Sequence, residues 1–496
     1  GPLPVTIVLV AGVGIASSAV GLGAAWLVTR YRFFGRDVLS FALVLPLSVP
    51  TYLAAYSFLE AMDYSGPLQG AIRAAFGFER PGDYWFPELR SLPGAIFVLT
   101  SVLYPYVYLS CRLMLERQGG ATIESARVLG AGGWQVLLRI AAPLTRPAIA
   151  AGATLAMLET MNDLGAVEAL GVRSLAFSVY DTWLNRSDLA GAARIAMLAL
   201  FAVAVLMWFE RAARGDRGYA ARNAVAPALA PLPGAAGAAA FLACLFPVAA
   251  GFGLPLYVLG GAALRRLPEA LDAELFTAAL NTLAVATGSA IAATAAALLL
   301  AAGMASAPGM TERFAGRAAL LGYAVPGPVL AVGTLYAFTS FDNALDGWLR
   351  AAFGLSSGLL LSGSAAIVVY ACTVRFLAPA HGAIETGQSQ LARHASMAAR
   401  TLGRSRRRAF AEVELPLLNR ALATAGLLVF VDAAKELPAT LILRPFGFGT
   451  LATHVYEKAS QARFGDGAAA ALAIVAIGAV PLLVLLRTGK SGGKRK

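Results

Sequence analysis

Charge is scarce in this chain. Asp, Glu, Lys and Arg make up 14% of its 496 residues, hydrophobic residues make up 58%, and the mean hydropathy is +0.68. A composition so poor in charge excludes an ordinary soluble domain and a disordered chain, both of which keep far more polar surface. Cysteine is nearly absent as well. Cys111, Cys244 and Cys372 lie in or beside apolar runs, so they read as small core residues and not as a disulfide framework or a metal site. The histidines, His381, His394 and His454, are scattered without ligand spacing, and no His/carboxylate or nucleophile cluster of the kind a membrane enzyme needs is gathered in one place. A phosphate-binding loop is missing too. The "GKS" at 489–491 has Val484 where the first glycine of such a loop belongs.

What is present is a series of apolar windows about 20 residues long, each long enough to cross a hydrocarbon core as a helix. Barrel strands would alternate every second residue over about 10 positions, which these runs do not do. We expect eleven spans, near 4–29, 38–62, 91–115, 143–168, 189–210, 236–263, 275–306, 318–340, 359–380, 417–443 and 467–487. The fold class is therefore an all-α polytopic membrane protein embedded in a lipid bilayer. The net charge of +12 reads as loop asymmetry in a membrane protein and not as nucleic-acid binding. Arg and Lys gather in "TRYRFFGR", "ERAARGDRGYAARN", "ERFAGR", the tail "RTGKSGGKRK" and two longer stretches, whereas the loop holding Glu60, Asp63, Glu79, Asp83 and Glu88 is mixed or acidic. The basic stretches and the C-terminus are expected on the cytoplasmic side.

The two longer stretches are "ESARVLGAGGWQVLLRIAAPL" (124–144) and "MAARTLGRSRRRAFAEVELPL" (397–417). Gly130 and Gly403 are 273 residues apart, as are Pro143 and Pro416, Glu159 and Asp432, and Asp163 and Glu436. Further upstream, Pro50 and Pro326, and Thr6 and Thr282, are 276 apart. This register implies tandem repeats: 1–210 as the first with about five spans, 211–235 as a cytoplasmic linker, 236–487 as the second with six, and 488–496 as a basic cytoplasmic tail. A parallel repeat needs an even number of spans per unit. The expectation is two repeats of six helices, with the first helix of repeat one missing from this sequence.

Each long stretch reads as a surface hairpin: a short helical run, a glycine that permits a sharp turn, a second run, and a proline where the next membrane helix begins. The pattern resembles the cytoplasmic EAA loop of ABC importer permeases. It is carried by Glu124, Ser125, Ala126, Gly130, Ile140 and Pro143, and again by Met397, Ala398, Ala399, Gly403, Val413 and Pro416, with Met397 where glutamate is usual. The segments "VDAAKELPATLILRPFGFGTLATHVYEKASQARFGDGAAAALAI" and "MNDLGAVEALGVRSLAFSVYDTWL" are similar to fused, twelve-helix ferric-iron permeases of that family. The resemblance implies a type I importer fold in the bacterial inner membrane, a periplasmic substrate-binding protein, and a cytoplasmic ATPase dimer coupled through the two loops. ATP and Mg are then expected on those partner subunits and no cofactor in this chain, which would not itself be an enzyme. Thiamine and polyamine permeases share the architecture, and a secondary transporter or channel is the alternative class, although neither of those needs paired docking loops.

Ferric ion is hard and prefers oxygen donors. Glu159 with Asp163, and Asp432 with Glu436, are i,i+4 pairs, so both carboxylates of each pair are expected to face one way on a helix. Intramembrane carboxylates usually face a bundle interior or a water-filled path. These four are the candidates for a translocation path with transient metal contact; the alternatives are pairing with Lys435, Arg444 or Arg173 to fix helix packing, or a position near a membrane surface. Tyr104, Tyr106, Tyr108 and Tyr370 add phenolic oxygens that a core or an interfacial aromatic belt also explains.

Overall fold

A computed structural model describes residues 1–80, 82–118, 125–126, 128–214, 229–270, 272–306, 309–310, 316, 319–390 and 401–491. Its apolar windows form helices because, without water, each backbone amide must find its partner inside the protein. The principal helices in chain order are α1 (Pro2–Arg30), α2 (Thr51–Met62), α3 (Leu92–Gln118), α4 (Arg146–Asn162), α5 (Gly165–Ala169), α6 (Leu175–Tyr180), α7 (Leu189–Arg214), α8 (Gly234–Val248), α9 (Leu254–Ala270), α10 (Ala273–Ser306), α11 (Gly327–Phe353), α12 (Ala366–Gln390), α13 (Asn419–Ala434), α14 (Pro438–Leu443), α15 (Leu451–Ser460) and α16 (Ala468–Ser491). Strand pairing among the described residues is confined to Tyr31–Arg32 running parallel to Ala230–Pro231.

Six helices among the described residues are long and apolar enough to span a membrane, or up to nine if each of three sharply bent pairs is one span. Eleven were expected. The remaining two windows fall on α11 and α16. Helix α11 does not stay apolar along its length, because its C-terminal half carries Asp342, Asp346 and Arg350. The bends explain much of the rest: Arg36–Ser48 meets Thr51–Phe76 at 98°, Gly133–Leu144 meets α4 at 73°, and Phe410–Leu417 meets α13 at 59°. Pro50, which lacks an amide hydrogen and caps α2, marks the first bend.

The chain forms two compact units, Gly1–Ala270 with Tyr456–Lys496, and Leu271–Val455. In the first unit α1, α3 and α4 pack on one another, and α9 packs against α2 and α16. Arg266 at the end of α9 pairs with Asp466 just before α16. In the second unit α10, α12 and α13 form the corresponding triplet. Helices α8, α9 and α16, which the sequence register assigns to the second repeat, thus pack in the first unit. A sequence repeat divides the chain, whereas a helix buries its apolar stripe wherever the complementary face lies.

The same hydrogen bond recurs in both units. Thr6 Oγ1 on α1 accepts from the buried Leu175 amide at 2.9 Å, and Thr282 Oγ1 on α10 accepts from the Leu451 amide at 2.8 Å. Each threonine satisfies the first amide of a helix, α6 or α15, that would otherwise be orphaned in apolar surroundings. The three cysteines are buried and free, as core residues should be.

Close helix approach in the first triplet depends on Gly152. A Cβ there would lie 2.6 Å from Val107 Cα and 2.8 Å from the Tyr106 carbonyl oxygen, so α4 and α3 touch backbone to backbone. Gly152→Leu should therefore cost about 1–3 kcal/mol by overpacking, lowering the melting temperature of the detergent-solubilised protein. An unchanged melting temperature would contradict this contact.

Candidate translocation and coupling sites

The windows expected as single helices over 143–168 and 417–443 are both broken after a long segment. Helix α4 ends at Asn162 and Asp163 turns to extended backbone (φ −71°, ψ 119°) before α5 begins. Helix α13 ends at Ala434, and α14 starts at Pro438, whose ring excludes a continuous helix. A new helix start inside an apolar span exposes amides that need acceptors. Carboxylates supply them. Asp163 Oδ1 accepts from the Ala166 amide at 2.8 Å. Its Oδ2, beside Thr51, is buried and makes no hydrogen bond of normal geometry. Glu436 accepts from the amides of Ala439 and Thr440 at 2.8 and 2.9 Å and from the Thr440 hydroxyl at 2.6 Å.

This geometry corrects the expectation that each i,i+4 carboxylate pair lies along one helix face. Asp163 and Glu436 lie beyond the helix ends, are buried, and act as caps, while Glu159 and Asp432 remain on α4 and α13 and are half-buried. Glu436 is further neutralised by the buried Arg375 on α12, at 2.9 Å. Asp432 pairs with Lys435 at 2.9 Å, as the packing alternative foresaw. Arg375 was missed in the sequence because it lies 61 residues from Glu436 and outside the motif; a lone arginine inside an apolar run was the available signal. Tyr104 and Tyr108 are fully buried core residues, the Tyr108 hydroxyl donating to the Ser40 carbonyl at 2.8 Å, and Tyr370 packs edge-on against Phe338. Among the described residues, no group of three or more His, Cys, Asp or Glu is placed to hold a metal ion.

The two hairpins share a backbone course. Gly130 has φ +86° and Gly403 φ +84°, a left-handed conformation that side chains with a Cβ strongly disfavour. At the first, the Leu129 amide reaches the Ser125 carbonyl and the Ala131 amide reaches the Ala126 carbonyl, closing the helical run as a glycine C-cap does. After the turn come Gly133–Val136, a wide π-type turn over Leu137–Ala141, Ala142–Leu144 with Pro143, and then α4. The second hairpin repeats this with Arg406–Ala409, Phe410–Glu414, Leu415–Leu417 with Pro416, and then α13. Val128, Leu129 and Trp134 are strongly exposed on the first hairpin and Leu402 on the second. Arg404 pairs with Glu412 at 3.1 Å. Glu124, Met397, Ala398 and Ala399 lie outside the described residues.

Helical spans interrupted by capped breaks, with paired glycine-turned surface hairpins, describe a multi-pass helical membrane protein. The sequence profile of binding-protein-dependent transport system inner membrane components matches residues 17–215. The chain is 30% identical over 210 residues to the molybdenum transport system permease protein ModB of Escherichia coli K12, covering 40% of this chain and 87% of ModB. It is 24% identical over 490 residues to the Fe(3+)-transport system permease protein FbpB 2 of Haemophilus influenzae, covering 97% of this chain and 88% of that protein. With the sulfate transport system permease protein CysW of Escherichia coli K12 it shares 28% identity over 205 residues, 38% of this chain and 66% of CysW. This chain belongs to the family of binding-protein-dependent transport system inner membrane components, the permease subunits of ABC importers. It is accordingly a multi-pass inner-membrane permease, a family whose members are permease subunits and not ATPases.

Removing one partner of a buried ion pair leaves an uncompensated charge, so Glu436→Gln should destabilise the protein by about 3–5 kcal/mol. Asp432→Asn, which breaks a half-exposed pair, should cost no more than about 1 kcal/mol. Equal unfolding midpoints for the two variants in detergent would refute the distinction.

Proposed function

We propose that this chain is the membrane permease of an ATP-driven importer that moves ferric iron, delivered by a periplasmic binding protein, into the cytoplasm. The observation that supports iron is the extent of likeness: the relative named for Fe(3+) matches over 97% of this chain, whereas the molybdenum and sulfate permeases match about 40% or less. The chain is read as two tandem repeats, and the recurrence of the Thr6 and Thr282 hydrogen bonds at one offset supports that division. Two cytoplasmic ATPase subunits, carrying ATP and Mg, dock on the hairpins at Ser125, Ala126, Gly130 and Pro143, and at Gly403 and Pro416, together with Glu124, Met397, Ala398 and Ala399. The exposed Val128, Leu129 and Leu402 beside the glycine turns supply apolar anchors for that docking. The hairpins and the C-terminus face the cytoplasm.

For the path itself, Glu159 and Asp432 are the carboxylates with solvent access, each about one helical turn ahead of a capping carboxylate. Asp163 and Glu436 shape the path by holding the breaks open. A path must bind its ion weakly enough to release it, which half-buried carboxylates already engaged elsewhere, as Asp432 is with Lys435, allow and a closed oxygen cage does not.

Two outcomes test this reading. In proteoliposomes with the ATPase and binding protein, ferric uptake should require ATP and resist excess molybdate; molybdate uptake without iron uptake would overturn the iron assignment. Gly130→Val and Gly403→Val each force a β-branched residue into a left-handed turn, a strain of about 1–3 kcal/mol. Binding-protein-stimulated ATP hydrolysis should fall at least about fivefold, the factor corresponding to about 1 kcal/mol, with membrane insertion intact. Wild-type stimulation in both variants would refute the coupling role.

A further inference from the structure

Away from the four motif carboxylates, the first unit gathers a set of oxygen donors. Tyr456 on α15 donates its hydroxyl proton to Glu168 Oε2 on α5 at 2.6 Å. The Tyr456 hydroxyl oxygen also lies 3.3 Å from the Tyr180 hydroxyl at the end of α6. One hydroxyl has one proton, so with that proton on Glu168 the longer contact has Tyr180 donating to Tyr456. Tyr56 on α2 is within electrostatic reach of Glu168, Asp163 and Tyr180, and its ring packs on Phe464 at 5.8 Å. Tyr456 is buried, while Glu168, Tyr180 and Tyr56 are half-buried. Tyr180 and Tyr456 are 276 residues apart, the separation of Thr6 and Thr282, so the contact joins positions that the register makes equivalent.

We infer that Tyr456, Tyr180 and Glu168 form a transit site for ferric ion. Three points carry this. The donors are hard oxygens of the kind a hard trivalent cation selects. Their charge matches: two phenolates and one carboxylate carry three negative charges, so the loaded site is neutral, which low-dielectric surroundings favour. Their spacing matches as well. Metal–oxygen bonds of about 2.0 Å in octahedral geometry place neighbouring oxygens about 2.8 Å apart, between the 2.6 and 3.3 Å contacts seen here. Loading is ligand exchange without redox chemistry: ferric ion gives up carrier or water ligands, the two phenol protons pass to solvent, and iron stays trivalent throughout. With three protein donors the site leaves other coordination positions to exchangeable ligands, so the ion can be released onward.

The inference rests on the ferric reading of the function, and its test separates the two. The full chain, purified in detergent, is titrated with ferric nitrilotriacetate while the visible phenolate-to-iron charge-transfer band is followed; ATP-dependent ferric uptake is measured in parallel proteoliposomes. The wild type should show a saturable band. Tyr456→Phe and Tyr180→Phe, which keep ring volume, should each lose band intensity and weaken ferric binding by at least about tenfold. Glu168→Gln should weaken binding while retaining the band, and Tyr370→Phe should change neither. Melting curves establish that each variant is folded, and if Tyr456→Phe is not, Tyr180→Phe reads the same site. Absence of the band in the wild type, or a wild-type band in folded Tyr180→Phe, overturns the site. Uptake without a band overturns the site and leaves the iron reading standing. A tyrosine-dependent band without uptake supports the site and overturns the importer reading, and failure of both measurements overturns both.

Discussion

A backbone amide in hydrocarbon has no water to turn to, and this requirement shapes the two broken helices. Breaking a span and restarting it, as happens between α4 and α5 and again between α13 and α14, uncovers amides that must be satisfied within the protein. Asp163 and Glu436 do so with carboxylate oxygens, the strong acceptors for such amides. The two solutions differ in reach. The shorter Asp163 takes one amide, whereas the longer Glu436 takes two amides and a hydroxyl and is neutralised by Arg375. Carboxylates that read as cargo ligands therefore owe their place first to the backbone.

The same helices are bent at their other ends, where the hairpins join. Helix α4 has 17 residues and α13 has 16, so each is a rod of about 25 Å between a surface turn and a capped break. In each unit, the chain runs from a left-handed glycine through a π-type turn and a proline into the rod, and then to the carboxylate cap. Such a rod joins the hairpin to the break with few soft torsions between. Beside the glycine turns, Val128, Leu129 and Leu402 leave apolar area exposed on the hairpins.

Oxygen donors are divided between two tasks. Tyr104 and Tyr108 are absorbed into the core, and Glu436 into an ion pair. The buried Tyr456 hydroxyl instead meets both Glu168 and Tyr180, which are half-buried. Residue type alone does not distinguish these groups. The difference lies in what each oxygen is already bonded to and whether an ion can approach it.

The sequence by itself determined the helical membrane class, the 273-residue register and the glycine turns. Scarce charge, windows as long as a bilayer is thick, and a glycine at one place in each loop are local properties, so they can be read along the chain. Thr6 and Thr282 were legible as equivalent positions, although not as acceptors for Leu175 and Leu451. Only the tertiary structure decided that Asp163 and Glu436 cap helix breaks, that Arg375 answers Glu436, and that Tyr456 meets Glu168 from 288 residues away. An i,i+4 spacing predicts a shared face only where the helix continues, and continuity at Asp163 or Glu436 depended on whether an acceptor could satisfy the broken end. Which helices pack together was likewise outside the sequence's reach: α8, α9 and α16 bury their faces in the first unit because complementary surfaces meet there, and no pattern along the chain records that meeting.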